Sequence, residues 1–489
     1  MGRCYEDDFI CNPRCNENNF IYKPIKTKKC SKCGNLLENP SFEAGLTDWV
    51  TNNVSASGEK PFEGTAIARM GQTAPSMFQD VLLNKNCRKP LLLSFEILPS
   101  LIEFDVFVGN LIVEVLWLND EGEIIGTGLR TLIPEERTSI TQNRLTFVEI
   151  TDLPPSDAAA ARLQFSKGST TDNSKNLLDI DQVILAPIDS INLVKNSGFQ
   201  LALTNWNAID TTAQFTNVYE GTGTAELDAN GRVFQSIPIN QLPRNSKFLL
   251  SFAVIASFDV GSIRAQVIWL DKFGSPIGTG LDLLINGGVF EDQLNYTTYV
   301  DITNEAPKNA VTAEIKFINT NALNVFQIDK VIFARVMSTN LLQNPSFEND
   351  LTLSPWIGEG ANVVQSIKSY EGNRLVRIDG NGGFVSQEVP VESKQCYLLN
   401  FGYEPFSSDA SGNLLAEVYW LDQNGQEIGL GLSINHKIDF ETGDRLLTYL
   451  GVTEAAPDNA VRARVQFSRS VSVEAIAIDI DKVVFARLV

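Results

Sequence analysis

Val115-Leu-Trp117-Leu-Asn-Asp-Glu-Gly122-Glu-Ile-Ile-Gly126-Thr-Gly128-Leu129 decides how this chain is read, because the pattern returns twice. The second copy is Val267-Ile-Trp269-Leu-Asp-Lys-Phe-Gly274-Ser-Pro-Ile-Gly278-Thr-Gly280-Leu281, and the third is Val418-Tyr-Trp420-Leu-Asp-Gln-Asn-Gly425-Gln-Glu-Ile-Gly429-Leu-Gly431-Leu432. Up to each tryptophan, small and apolar side chains recur at every second position: Val113, Val115, Trp117; Ala265, Val267, Trp269; Ala416, Val418, Trp420. A period of two belongs to a strand. The intervening positions are polar at Glu114, Gln266 and Glu417 and apolar at Leu118, Leu270 and Leu421, so one face is buried throughout and the other at one end only. Asn119-Asp-Glu-Gly122, Asp271-Lys-Phe-Gly274 and Asp422-Gln-Asn-Gly425 then supply turn residues before a second short β run, which makes each copy a hairpin.

The tryptophans Trp117, Trp269 and Trp420 are 152 and 151 residues apart, far beyond the 20–50 residues of a solenoid repeat, so each copy is a whole domain. Each begins alike, with Asn35-Leu-Leu-Glu-Asn-Pro-Ser-Phe42-Glu43, Asn192-Leu-Val-Lys-Asn-Ser-Gly-Phe199-Gln200 and Asn340-Leu-Leu-Gln-Asn-Pro-Ser-Phe347-Glu348, followed by Trp49, Trp206 and Trp356. Each closes alike, with Asp179-Ile-Asp181-Gln-Val183, Gln327-Ile-Asp329-Lys-Val331 and Asp479-Ile-Asp481-Lys-Val483. Further β-rich runs include Leu91–Phe95, Phe248–Phe252 and Tyr397–Phe401, and helical spacing is confined to weak alanine-rich pieces near Ala158. The reading is an all-β chain of three tandem two-sheet sandwiches, at 35–189, 190–337 and 338–489, behind a cysteine-rich N-terminal arm at 1–34.

A chain of 489 residues exceeds what one core supports, which agrees with three domains. No apolar run reaches the ~20 residues of a membrane span, so membrane insertion is not expected. The start carries Glu6, Asp7 and Asp8 with no apolar segment, so no signal peptide is expected. A net charge of -20 argues against nucleic-acid partners. The arm runs against that balance: seven Lys/Arg and four acids give it +3 and leave -23 on the remainder.

Cysteine usage is the most informative chemistry. Cys4, Cys11, Cys15, Cys30 and Cys33 crowd an arm too short and polar for a core of its own. Cys11-x3-Cys15 and Cys30-x2-Cys33 suit a four-thiolate zinc site; the alternative is disulfide bonding, in which an odd number leaves at least one thiol for another subunit. Cys87 and Cys396 occupy non-equivalent positions in different modules and read as unpaired, buried or free thiols. The chain has a single histidine, His436, and neither a Gly-x-Ser-x-Gly elbow nor a phosphate loop, so no enzyme is expected. All six module tryptophans read as core rather than sugar platforms.

The opening Asn-Leu-(Leu/Val)-x-Asn-x-x-Phe motif, the early Trp, the turns Glu63-Gly64, Glu220-Gly221 and Glu371-Gly372, and the closing Ile-Asp-x-Val together resemble the jelly-roll fold of carbohydrate-binding modules. The Trp-Leu-Asp-x-x-Gly hairpin and the Ala-Pro near Pro307 and Pro457 resemble the sandwich domains attached to collagen-like and other outer-surface proteins of endospore-forming bacteria. The first resemblance implies structural calcium held by Glu43 with Asp181 and by Glu348 with Asp481, with Gln200 breaking the set in the second module, or else acids that cap turns and bond amides. The second implies a structural protein of a spore surface, in the exosporium or a fibre, made in the mother cell and oxidised after its lysis. On that reading the modules form a rigid spacer, and the arm links the protein to itself or to other spore-surface proteins. The alternative is a multivalent glycan-binding protein.

Overall fold

The computed structural model describes residues 33–84, 88–100, 109–139, 144–168, 177–290, 296–405, 412–437, 446–471 and 477–489. In the first module the strands are β1 (Val50–Asn52), β2 (Val54–Ser57), β3 (Ile67–Met70), β4 (Ser76–Leu82), β5 (Leu91–Ser100), β6 (Leu111–Leu118), β7 (Ile124–Ile133), β8 (Leu145–Ile150), β9 (Ala160–Lys167) and β10 (Leu177–Pro187). They form two antiparallel sheets of order β1-β4-β9-β6-β7 and β2-β3-β10-β5-β8, a jelly-roll sandwich. The third module repeats both orders. In the second, one long strand, Thr224–Pro238, runs through both layers and joins them into a continuous eight-stranded unit.

The tryptophan hairpin is β6–β7, with Gly122 at φ 78° and the Asn119 Oδ1 accepting from the amides of Glu121 and Glu123. Trp117, Trp269 and Trp420 are buried between the sheets. Each indole lies on the second glycine of the Gly-x-Gly pair: a Cβ on Gly128, Gly280 or Gly431 would meet ring atoms at 2.3, 2.5 and 2.5 Å. The alanine-rich piece near Ala158, read above as weakly helical, instead leads into β9, where Ala161 stands directly opposite Trp117. Tertiary pairing overrides a weak local preference there.

The sheet containing β5, β8 and β10 is apolar on both faces. Leu93, Phe95 and Ile97 point into the module's own sandwich, whereas Leu92, Val148, Ile184 and Ala186 point out of it. Their equivalents do the same in the other modules: Leu249, Val300, Ile332 and Ala334, then Leu398, Leu450, Val484 and Ala486. The three sets meet in one shared core, so the modules are not beads on a string but a closed group around a pseudo-threefold axis. Each fully buried Leu or Ile contributes about 1.5–3 kcal/mol, so this fourth core is a major source of stability. Next to it, three threonines close a cycle. Thr146 Oγ1 donates to the Thr448 carbonyl (3.0 Å), Thr448 Oγ1 to that of Thr298 (2.6 Å), and Thr298 Oγ1 to that of Thr146 (2.6 Å).

Neighbouring modules also exchange aromatic rings. Tyr219 of module two packs on Phe147 of module one, Tyr370 of module three on Tyr299 of module two, and Phe62 of module one on Tyr449 of module three, with centroids 4.4, 4.2 and 4.1 Å apart. The glycine two residues after each ring donates its amide to the second strand of the tryptophan hairpin: Gly221 to Leu132, Gly372 to Leu284 and Gly64 to Asn435, at 2.7–2.8 Å. Each inserted segment thus covers the open edge of the preceding sandwich, which would otherwise expose unpaired backbone. The Tyr370 hydroxyl donates to the Thr298 carbonyl at 2.6 Å. We expect Tyr370→Ala to cost about 3–5 kcal/mol and Tyr370→Phe about 1 kcal/mol in urea unfolding; equal small losses would contradict this packing.

Candidate functional site

The opening motif is a structural clamp. Asn35 Nδ2 donates to the Val183 carbonyl while its Oδ1 accepts from Leu37 and Leu185, tying the start of the module to β10; Asn192 and Asn340 repeat this. The early tryptophans Trp49, Trp206 and Trp356 are buried, and each Nε1 donates at 3.1 Å to the carbonyl of the second motif asparagine. All six module tryptophans therefore serve the cores.

The acids carried over as calcium ligands converge on the Glu-Gly turn from two sides, where they accept from N–H and O–H donors. Glu43 accepts from the Thr65 amide and hydroxyl and the Ala66 amide at 2.7–2.9 Å. Asp181 accepts from the amides of Phe62, Glu63 and Gln182 at 2.7–3.0 Å. Glu348 takes the amides of Asn373 and Arg374, and Asp481 those of Glu371 and Lys482. These carboxylate oxygens accept hydrogen bonds from the turn, and among the described residues no three acids, histidines or cysteines group together. The work of Asp181, Asp329 and Asp481 is to hold the turn that delivers Phe62, Tyr219 or Tyr370 to the neighbouring module.

The residue after each of these aspartates has positive φ and points at the preceding module of the ring: Gln182, Lys330 and Lys482, at 47–49°. Lys330 reaches Glu149 of module one at 2.5 Å and Glu220 at 3.0 Å, and Lys482 reaches Asp301 of module two at 2.8 Å and Glu371 at 2.9 Å. Burial works against both ammonium charges, but the paired carboxylates more than offset it and hold both lysines protonated. The third junction, between modules three and one, lacks this chemistry. Gln182 replaces the lysine and donates to the Leu450 carbonyl at 3.0 Å. Gly451 stands where Glu149 and Asp301 stand, and Phe62 lacks the hydroxyl of Tyr219 and Tyr370. Instead His436 Nδ1 lies 2.8 Å from the Phe62 carbonyl. Glu63, left without its lysine, has its carboxyl pushed up from 4.5 to about 7 by burial, against a hydrogen bond with Ser41 and with a further push from Glu43.

This junction carries the disulfide Cys33–Cys396, with Cα atoms 5.6 Å apart. That corrects two expectations: Cys396 is not a free thiol, and Cys33 is spent within the chain rather than on zinc or a second subunit. The physical reason is the closed arrangement, which brings together residues 363 positions apart in sequence. Cys4, Cys11, Cys15, Cys30 and Cys87 lie outside the described residues.

On the far side of each sandwich, the sheet containing β4, β6 and β9 presents a polar face with one half-exposed ring. In module one Arg162 lies 4.1 Å over the Phe78 ring and pairs with Asp80 at 2.7 and 2.8 Å, beside Gln164 and Glu114. In module two Lys316 lies 5.9 Å from the Phe234 ring, beside Gln266 and the Arg264–Asp282 pair. In module three Arg464 lies 4.8 Å over Tyr419, beside Glu417 and Gln466. Sequence reading placed Glu114, Gln266 and Glu417 on the less buried face of their strand but not their cross-strand partners.

No protein-family model matches the chain, and no curated protein matches it. Among solved structures it is similar to the N-terminal CBM22-1-CBM22-2 tandem domain of Xyn10C from Paenibacillus barcinonensis, at 12% identity over 63% of this chain and 99% of that one, with a TM-score of 0.26. It is also similar to TmCBM61 in complex with beta-1,4-galactotriose, at 21% identity over 31% and 99% with a TM-score of 0.24, and to Family 16 Carbohydrate Binding Module-2, at 20% over 31% and 99% with a TM-score of 0.24.

Because Glu63 binds its proton more tightly when folded, its contribution to stability is complete below pH 4.5 and lost as pH rises through about 7. Between pH 5 and pH 8 the wild type should lose roughly 1–3 kcal/mol more stability than Glu63→Gln. Parallel stability–pH profiles in urea unfolding would contradict the assignment.

Proposed function

We propose that this is a non-catalytic, trivalent glycan-binding protein whose sites are the outward faces around Phe78, Phe234 and Tyr419. The observation that carries the reading is the recurrence, on all three modules and away from the shared core, of a half-exposed ring beside a cation, a glutamine and a carboxylate on adjacent strands. A sugar offers hydroxyls, which suit guanidinium, amide and carboxylate groups as paired donors and acceptors, and an apolar C–H face, which suits a flat ring. Three such faces on one rigid body make binding to a polymer multivalent.

The test is a glycan array followed by calorimetry on the full chain. Saturable binding to a polysaccharide is expected, lowered about 10-fold or more by each of Phe78→Ala, Phe234→Ala and Tyr419→Ala on a multivalent surface and lost in the triple variant. Absence of saturable binding, or a triple variant that binds normally, would overturn the reading. A second reading, assembly into a spore surface such as the exosporium or a fibre, is favoured by the four arm cysteines Cys4, Cys11, Cys15 and Cys30, which the Cys33–Cys396 bond leaves over. It predicts oxidised oligomers on non-reducing gels that disappear when residues 1–32 are removed.

A further inference from the structure

We propose that the junction between modules three and one is a reducible seam through which two copies of this chain associate, module three of one copy completing the three-module ring of the other.

The three junctions have one geometry and unequal chemistry. Two join consecutive modules, and there the linker serines Ser190 and Ser338 accept the amides of Arg335 and Arg487 from the last strand of the following module. Cys33 precedes Asn35 by two residues, as Ser190 precedes Asn192 and Ser338 precedes Asn340. The disulfide to Cys396 therefore stands where the missing third linker would run. It is the covalent tie at the one junction that also lacks the buried lysine, its acidic partner and the tyrosine hydroxyl.

Release is a thiol–disulfide exchange: a dithiol reductant supplies two electrons and two protons, the sulfur–sulfur bond becomes two thiols, and the reductant ends as its own disulfide. Module three is then joined covalently only through residues 337–339. Its two interfaces present apolar faces that cannot remain in water, notably Leu398, Leu450 and Val484. Among the described residues the surface complementary to them is that of modules one and two of this same sequence. A second copy carries that surface, and exchange of an identical module rebuilds every contact while changing only the path of the linker.

The test uses the full-length chain with Cys4, Cys11, Cys15, Cys30 and Cys87 changed to serine, so that only the seam cysteines remain. Cys33→Ser and Cys396→Ser versions are mixed under dithiothreitol, then oxidised with oxidised glutathione, which takes up the two electrons. Exchange places Cys396 of one chain against Cys33 of the other, so the mixture should give a disulfide-linked dimer several-fold above either variant alone. The unmixed parent should elute as a monomer when oxidised and show a concentration-dependent dimer when reduced, with a native-like β spectrum in both states. Phe62→Tyr, which restores the hydroxyl found at the other junctions, should lower the reduced dimer fraction. A reduced parent that stays monomeric at all concentrations, or a mixture giving no more dimer than the single variants, would overturn the proposal.

Discussion

Burial of both faces of three β-sheets is the constraint on which the rest of this structure depends. A sandwich normally hides one face of each sheet and leaves the other to solvent, where polar side chains belong. Here Leu92, Leu249 and Leu398 leave their own modules apolar on the outside, and no module can be stable with that face in water. Closure around a common axis satisfies all three at once. The threonine cycle of Thr146, Thr298 and Thr448 then satisfies three hydroxyls and three carbonyls beside that core, where unpaired polar groups would cost about 1–3 kcal/mol each.

From closure follows the division of labour between the sheets. The inner layer, its edge covered by Phe62, Tyr219 or Tyr370 of the next module, is committed to architecture. The outer layer takes part in the junctions only at its edge strand, through the carbonyls of Leu132, Leu284 and Asn435, and leaves the rings and charges of its central strands outside them. Near-equality of the modules makes the inequality of their junctions informative: where the peptide links neighbours, buried Lys330 and Lys482 bind their acids, and where it does not, Gln182 bonds the Leu450 carbonyl and sulfur makes the link. Breaking a buried ion pair costs more than never having it, so losing both partners together is the economical change.

Parts of this were legible from residues alone because they rest on local periodicity. The alternation ending at Trp117, the turn at Asn119–Gly122 and the repeats of both motifs indicate strands, hairpins and three sandwiches, since a period of two and a positive-φ glycine have few other uses. The Glu-Gly and Ile-Asp-x-Val motifs were visible, but their joint purpose was not: Asp181 caps a turn whose ring belongs to another module's core, and no spacing encodes that. A signal did exist in the apolar runs Leu91–Leu93 and Val183–Ala186, which mark strands covered on both sides. Cys33 and Cys396 offered none, being non-equivalent and 363 residues apart.

What the amino-acid order determined by itself is everything that depends on neighbours within a few residues: strand, turn, repeat, and the buried place of each tryptophan. What only the tertiary structure decided is what depends on which surfaces meet: the closed ring, the paired cysteines, the lysines that cross between modules and the faces left free. The physical reason is that hydrophobic burial has no direction in sequence. A leucine on an outward face specifies that something must cover it, and only the assembled fold shows that the cover is the same chain, two more times.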